Sequence, residues 1–418
     1  MTGQTLPPDP YRAVAEQYVK LVLAVGQHDG DYVDAFYGPP AWRAEAEAAK
    51  QPLAAVDARA AATESQLAAL PVPAPRGPDA ELWTLRRQYL TRQLAALRSR
   101  VAMLQGKKFS FDEESMALYD AVAPSKPASE FDAVLAQLSA KLPGDGTLID
   151  RYDRYKQEFV IPKARLDRVF QEAIRGCRAR VPSVQLPPNE RFTVEYVTNK
   201  SWSGYNWYQG DFKSLIQVNT DLPIYIDRGV DLACHEGYPG HHVYNAQLEQ
   251  HLVRDRGWVE YTVYPLFSPQ SLIAEGSANY GIDMAFPGGQ RAAYERDSLF
   301  PLAGIDPARA EAYYRVQGLV GRLNYAGNEA AREYLDGRID RAAAEAWLVR
   351  YALSTPEAAA QRVRFMDQYR SYVINYNLGR DLVAAYVERV AGPDASEARR
   401  WAVFGELLSS PRLPSDLQ

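Results

Sequence analysis

Cysteine and histidine are scarce in this chain of 418 residues, which holds two of the first and five of the second. A protein stapled for an oxidising compartment usually carries more thiols, so Cys177 and Cys234 read as free. Basic charge is in no surplus either: 47 Lys and Arg stand against 52 Asp and Glu, a formal net charge of −5. Nothing is left over to neutralise a phosphate backbone, and nucleic acid is not an expected partner. No apolar run approaches the ~18 residues needed to cross a bilayer. Met1 to Pro10 show neither a basic n-region nor an apolar h-region. The expected setting is therefore cytoplasmic and away from membranes.

Hydrophobic residues make up 47% and charged residues 24%, the proportions of a globular protein with a sizeable core. Val14, Tyr18, Leu21, Val22 and Val25 recur at helical spacing. Helices are expected over 9–29, 42–70, 79–105, 112–122, 130–142 and, unusually long, 148–180. Pro71 to Pro78 reads as a stiff connector. The texture changes after Pro182, where Arg191 to Val197 and Ser214 to Asn219 alternate as strands of a small sheet. Asp227 can cap a helix running to about Arg254, Ser271 to Met284 forms another, and helical patterning resumes from Pro307. The expected fold is mainly α, with a helical N-terminal region (1–180) and a catalytic region (181–418), or one continuous domain.

Four of the five histidines, His235, His241, His242 and His251, are crowded into one stretch. It contains Cys234-His235-Glu236-Gly237-Tyr238-Pro239-Gly240-His241-His242. Two neutral imidazoles suit zinc, and a non-ligating carboxylate beside the ion can deprotonate water. On a regular helix the second ligand stands four residues on, but that position is Pro239. A straight helix would place His241 about 9 Å along the axis from His235, too far to share one ion. Pro239 has no N–H and its ring opposes the His235 carbonyl, so the helix must widen or kink there. If two residues are absorbed in a bulge, His241 regains the phase of an i+4 ligand. His242 would need three, and stays as an alternative ligand or a substrate-side donor. Glu275, in an otherwise apolar helical segment, is the best third ligand, because a buried lone carboxylate is costly. Asn279 and Asp283, one and two turns later, are candidates to orient the imidazoles.

His-Glu-x-x-Pro-Gly-His-His followed by Ala274-Glu275-Gly276-Ser277-Ala278 resembles the bacterial family called domain of unknown function 885, grouped with the gluzincin metallopeptidases. The resemblance implies a large helical gluzincin-like fold with a catalytic cleft. It also implies one zinc ion, with His235, His241 and Glu275 as ligands and Glu236 as base. Two positions depart from the family's pattern: Ser277 stands where members commonly carry Trp, and Asn279 where gluzincins carry an acid.

Trp202 to Tyr208 is dense in aromatics and precedes the strand 214–219. If that strand lies at an edge it can offer backbone hydrogen bonds to an extended substrate, which makes Tyr205 and Asn219 candidate substrate contacts. Tyr372, Tyr376 and Arg380 share one helical face. A phenol could donate to an oxyanion and a guanidinium could hold a substrate carboxylate. Tyr376 to Gly379 also resembles the family's late Tyr-x-x-Gly motif. The reading is a zinc hydrolase of amide bonds, most simply those of short peptides. Its rivals are a hydrolase of a non-peptide amide, a zinc-bound scaffold and a non-haem iron site. Glu236 argues against the scaffold, which needs no base, and iron usually sits on a β-scaffold.

Overall fold

The apolar stripe of the first segment becomes the Arg12–Val25 helix, with Val14, Tyr18, Leu21, Val22 and Val25 fully buried. The computed structural model describes residues 9–73 and 79–418; the later part of the proline-rich connector, 74–78, lies outside the described residues. The chain is 66% helical with a small sheet, a mainly α fold. Residues from Tyr11 to Leu417 share one main core. A smaller one gathers Phe131, Leu138, Tyr152, Leu323 and Tyr351.

Two expected helices are each broken. The segment 42–70 forms Pro40–Ala49 and Leu53–Ala69, because Lys50 turns left-handed at φ 39° and Pro52 has no N–H to continue the ladder. The long helix expected over 148–180 stops at Gln157 and restarts at Leu166. Pro162 interrupts it, and Ile161 instead donates its N–H to the carbonyl of Ile224 at 2.9 Å. That bond ties the N-terminal helices to the segment leading into the histidine cluster.

Five strands are found among the described residues: β1 (Val33–Phe36), β2 (Arg191–Val197), β3 (Gly204–Gly210), β4 (Lys213–Asn219) and β5 (Val263–Pro265). β1 pairs with β5, and the larger sheet has the order β2-β4-β3. β4 is thus the middle strand, parallel to β2 and antiparallel to β3, with Ile216 opposite both Val194 and Asn206. This corrects the edge-strand expectation. Both sides of the β4 backbone are spent within the sheet, so it has no free donors or acceptors for an extended substrate.

The Pro269–Ala285 and Ile374–Ala391 helices meet backbone to backbone. A methyl group on Gly276 would lie 2.4 Å from the Gly379 carbonyl carbon, and one on Gly379 would lie 2.7 Å from the Leu272 carbonyl oxygen. Any side chain here would push the helices apart, and with them Glu275 from Tyr372 and Tyr376. Gly379→Ala is expected to cost roughly 1–3 kcal/mol of stability through overpacking. Gly318→Ala, on a helix with nothing within 4 Å, should gain roughly 0.5–1 kcal/mol from helix propensity. Chemical denaturation of the two variants checks this, and shifts of the same sign would remove the contact from the account.

Candidate metal centre

The histidine motif folds as its proline and glycines require. The Asp227–Leu232 helix widens into a π-helical turn over Ala233–Gly237 and breaks, and a new helix starts at His241. Gly240 seals the break by donating its N–H to the Cys234 carbonyl at 2.9 Å. A methyl group on Gly240 would fall 1.8 Å from the His235 carbonyl oxygen, so only glycine allows the chain to double back so tightly. The outcome is that His235 Nε2 and His241 Nε2 lie 3.1 Å apart, with their rings nearly perpendicular at 86°.

Glu275 completes the group. One of its oxygens lies 3.2 Å from His235 Nε2 and the other 3.7 Å from His241 Nε2. A tetrahedral ion with bonds of ~2.0–2.1 Å holds its donor atoms roughly 3.3–3.4 Å apart, so these separations suit one ion with little movement. Tyr372 donates its hydroxyl to Glu275 Oε1 at 2.7 Å, while buried Oε2 has no hydrogen-bond partner. Leaving such an atom unsatisfied costs about 1–3 kcal/mol, which a cation would relieve. His235 is aimed by Asn279, whose Oδ1 sits 2.9 Å from Nδ1 while its Nδ2 donates to the Tyr376 carbonyl at 2.8 Å. An amide oxygen only accepts, so Nδ1 carries the proton and Nε2 faces the convergence point. The donor set fits a divalent ion.

Glu236 stands beside this group, and one ligand-type atom each of His235, Glu236 and His241 lies within 4.8 Å of the others. Its carboxylate packs on β3 where Gly204 leaves room: a methyl group there would be 2.6 Å from Glu236 Oε1. Asn206 secures the same residue by donating to its backbone carbonyl at 2.7 Å. Burial raises the Glu236 pKa, against the pull of His235 and His241. For Glu275 burial also pushes upward, yet the two imidazoles outweigh it and hold the carboxyl well below its ordinary range. Burial works against a charged His235, but the adjoining carboxylates of Glu275, 3.2 Å away, and Glu236 raise it to about 9.

Several expected residues fall elsewhere. His242 is fully buried, with Ser214 Oγ at 2.9 Å from Nδ1 and Glu190 Oε2 at 2.9 Å from Nε2, and presents neither nitrogen to the group. Arg380 is exposed and paired with Asp283 at 2.6 Å and Asp381 at 3.1 Å, which also takes Asp283 away from the imidazoles. Asn219 donates to the Lys200 and Trp202 carbonyls and so fastens a turn. Tyr205 stacks on Trp202, and its hydroxyl donates to the Asp34 carbonyl at 3.3 Å. Tyr376 lies by the group, its ring stacked on His235 at 6.5 Å.

The cysteines are not free. Cys177 and Cys234 form a disulfide with Cα atoms 5.5 Å apart, linking the Leu166–Arg178 helix to the π-helical turn next to His235. A count of two could not reveal that packing brings together residues 57 apart in sequence. The compartment expectation that leaned on free thiols loses that support. Among the described residues no helix is long and apolar enough to cross a membrane.

No family model and no curated protein matches the chain, but solved structures do. An M32 carboxypeptidase from Deinococcus radiodurans R1 aligns over 98% of this chain and 94% of its own, at 14% identity and a TM-score of 0.50. A carboxypeptidase from Pyrococcus furiosus aligns over 96% and 90%, at 11% identity and a TM-score of 0.44. A protein assigned as a lipoprotein from Colwellia psychrerythraea aligns over 84% and 66%, at 13% identity and a TM-score of 0.49. The chain thus spans about two thirds of that last protein's length. What is shared at these identities is the architecture: the chain has a large helical fold similar to that of the M32 carboxypeptidase.

Proposed function

We propose that the chain is a metallopeptidase hydrolysing short peptides with one zinc ion held by His235, His241 and Glu275. The observation that carries this is the approach of His235 Nε2, His241 Nε2 and the Glu275 carboxylate to within 3.1–3.7 Å, with one buried oxygen left unpaired. The fold shared with a carboxypeptidase supports the same chemistry. Glu236 is the base rather than a ligand, because its carboxylate leans on β3 while Glu275 faces both imidazoles.

When bound, such an ion acidifies a water and polarises the scissile carbonyl. The side chains do the rest. Glu236, its pKa raised by burial, takes a proton from the attacking water and passes it to the leaving amine nitrogen. Tyr376 keeps its phenolic proton, since burial and the nearby Glu275 raise its pKa far above the ordinary value. No hydrogen bond to that hydroxyl is found among the described residues, which leaves it to donate to the oxyanion of the tetrahedral intermediate. Tyr372 fixes Glu275, and Asn279 fixes His235. The imidazole side chains are only 13% and 11% exposed, which favours short peptides over folded proteins.

Purified protein should bind about one zinc, and His235→Ala should lose it; retention of the ion would remove His235 from the site. Because His235 holds a proton up to about pH 9, the ion must displace it. Calorimetry at pH 7.5 in buffers of different ionisation enthalpy should show about one proton released per ion bound. Metal-free protein should show the opposite linkage. A His pKa raised from 6.5 to about 9 contributes stability in full below the lower value and loses it as pH rises through the upper one. Stability that rises over that window without metal would contradict the assignment.

Glu236→Gln should keep zinc and lose roughly 10²–10⁴-fold in kcat on a peptide substrate. Tyr376→Phe should lose roughly 10²–10³-fold at little cost in KM. An unchanged rate in Glu236→Gln would end the general-base account.

A further inference from the structure

The disulfide lands on the residue before a candidate metal ligand. Cys177, in the last turn of the Leu166–Arg178 helix, is joined to Cys234, whose Cα lies 5.5 Å away and whose peptide leads directly into His235. Both cysteines are fully buried. Arg178, next to Cys177, reaches the same stretch of chain. It pairs with Glu190, which accepts the Tyr238 hydroxyl at 2.6 Å, and its guanidinium lies 5.4 Å from the Tyr238 ring centroid. That pair holds less firmly, because the arginine side chain is 53% exposed. The crosslink is therefore the firm tie between this helix and the turn that carries His235 and Glu236.

The turn needs such a tie. Ala233–Gly237 is π-helical, and a π-helical turn holds one residue more than the α-helical turn it replaces. Rewinding to the α form would rotate the chain by roughly 100° for that residue. A rotation of that size would swing His235 away from Asn279 Oδ1, now 2.9 Å off, and from Glu275 Oε2, now 3.2 Å off. Packing of Pro239 against Gly281, and the Gly240 N–H on the Cys234 carbonyl, secure the end of the break. Its beginning is secured through a sulfur. Held to Cys177, the Cys234 side chain cannot turn, and the next residue, His235, cannot turn without it. The turn thus has two forms and a covalent bond that selects one.

We infer that the Cys177–Cys234 disulfide is a redox switch on the metal centre: oxidised, it keeps His235 facing His241 and Glu275; reduced, it frees the turn to rewind and release the ion. The inference rests on the zinc site of the metallopeptidase reading and adds its regulation. The reductant is a dithiol. One of its sulfurs attacks the disulfide to form a mixed disulfide, and its second sulfur displaces the protein sulfur. Two electrons and two protons pass to the cysteines, which leave as thiols while the reductant closes into its own disulfide. With both cysteines buried, exchange waits on local opening of the last helical turn, where the exposed Arg178 pair is the tie to break. Groups that orient a metal ligand change metal affinity roughly 10- to 100-fold, and the switch is expected to act in that range.

The test measures zinc affinity of the full chain, by competition with a chromophoric chelator, in its oxidised, reduced and reoxidised states. Because dithiols themselves bind zinc, the probe reductant is a phosphine, which takes the oxygen of a water while that water's two protons go to the cysteine sulfurs. It is removed before the titration. Thiol counting should find none before reduction and both cysteines after it. The reduced chain should bind zinc roughly 10- to 100-fold more weakly, and reoxidation should restore the affinity. The double variant Cys177→Ser/Cys234→Ser, which has no thiol to offer the ion, should show the weaker affinity in every state. A double variant that binds as tightly as oxidised wild type would overturn the switch and leave the metal site standing. Loss of the helical circular dichroism on reduction would also overturn it, because the disulfide would then hold the fold rather than the turn. Failure of the oxidised chain to bind zinc would overturn both the metal site and the switch. An affinity that follows the redox state in a chain that cleaves no peptide would overturn the peptidase reading alone.

Discussion

The site depends on one break in a helix. His235 and His241 are six residues apart, and only the π-helical turn over Ala233–Gly237 followed by the Gly240 reversal brings their Nε2 atoms to 3.1 Å. Had the helix run on, the rings would have diverged along its axis. Backbone hydrogen bonding makes the break tolerable, because the Tyr238 and Gly240 N–H groups find the Ala233 and Cys234 carbonyls. Gly281, on the facing helix, accommodates the ring of Pro239, which a methyl group there would meet at 2.8 Å. The distortion is thus packed on both sides.

Around that break, absent side chains place those that are present. Gly276 and Gly379 let two helices touch so that Glu275 and Tyr372 come within hydrogen-bond distance, and Gly204 seats the Glu236 carboxylate on β3. Two buried carboxylates then brace the surroundings. Glu190 accepts from His242 and Tyr238, with His242 also bonded to Ser214 on β4, so the helix starting at His241 is tied to the sheet. Glu114 accepts from the Ser371 N–H, the Ser371 hydroxyl and Arg370, and fixes the turn that carries Tyr372. Arg370 sits there at φ 53°, a conformation a non-glycine residue holds only when its surroundings over-determine it.

The sequence made the helical architecture and the crowding of the histidines legible, because periodicity and local spacing are local properties. The proline at the i+4 position announced a distortion, and the cost of burying Glu275 in an apolar segment marked it as exceptional. What stayed hidden was long-range. Helix breaks at Lys50 and Pro162 depended on where the freed N–H groups went, and the central position of β4 on which strands flanked it. That Cys177 meets Cys234, and that Arg380 finds Asp283 at the surface, are facts of packing that a helical wheel does not carry. His242 looked like a ligand for the same reason that His241 did; one residue of phase sends it to Glu190.

That single residue of phase also explains how a doubled histidine can serve one site. On the new helix His241 and His242 are about 100° apart, so the first can face Glu275 only if the second faces away. Left alone in the core, the second imidazole would be an unsatisfied polar group, costly at zero exposure. Ser214 and Glu190 satisfy both of its nitrogens. In return, the rotation of the helix about its axis is fixed by a buried hydrogen-bonded contact on a different face from the one that carries His241. Orientation of His241 is thus secured through its neighbour, much as that of His235 is secured through Asn279. The two imidazoles are held from behind by different elements and meet in front at the Glu275 carboxylate.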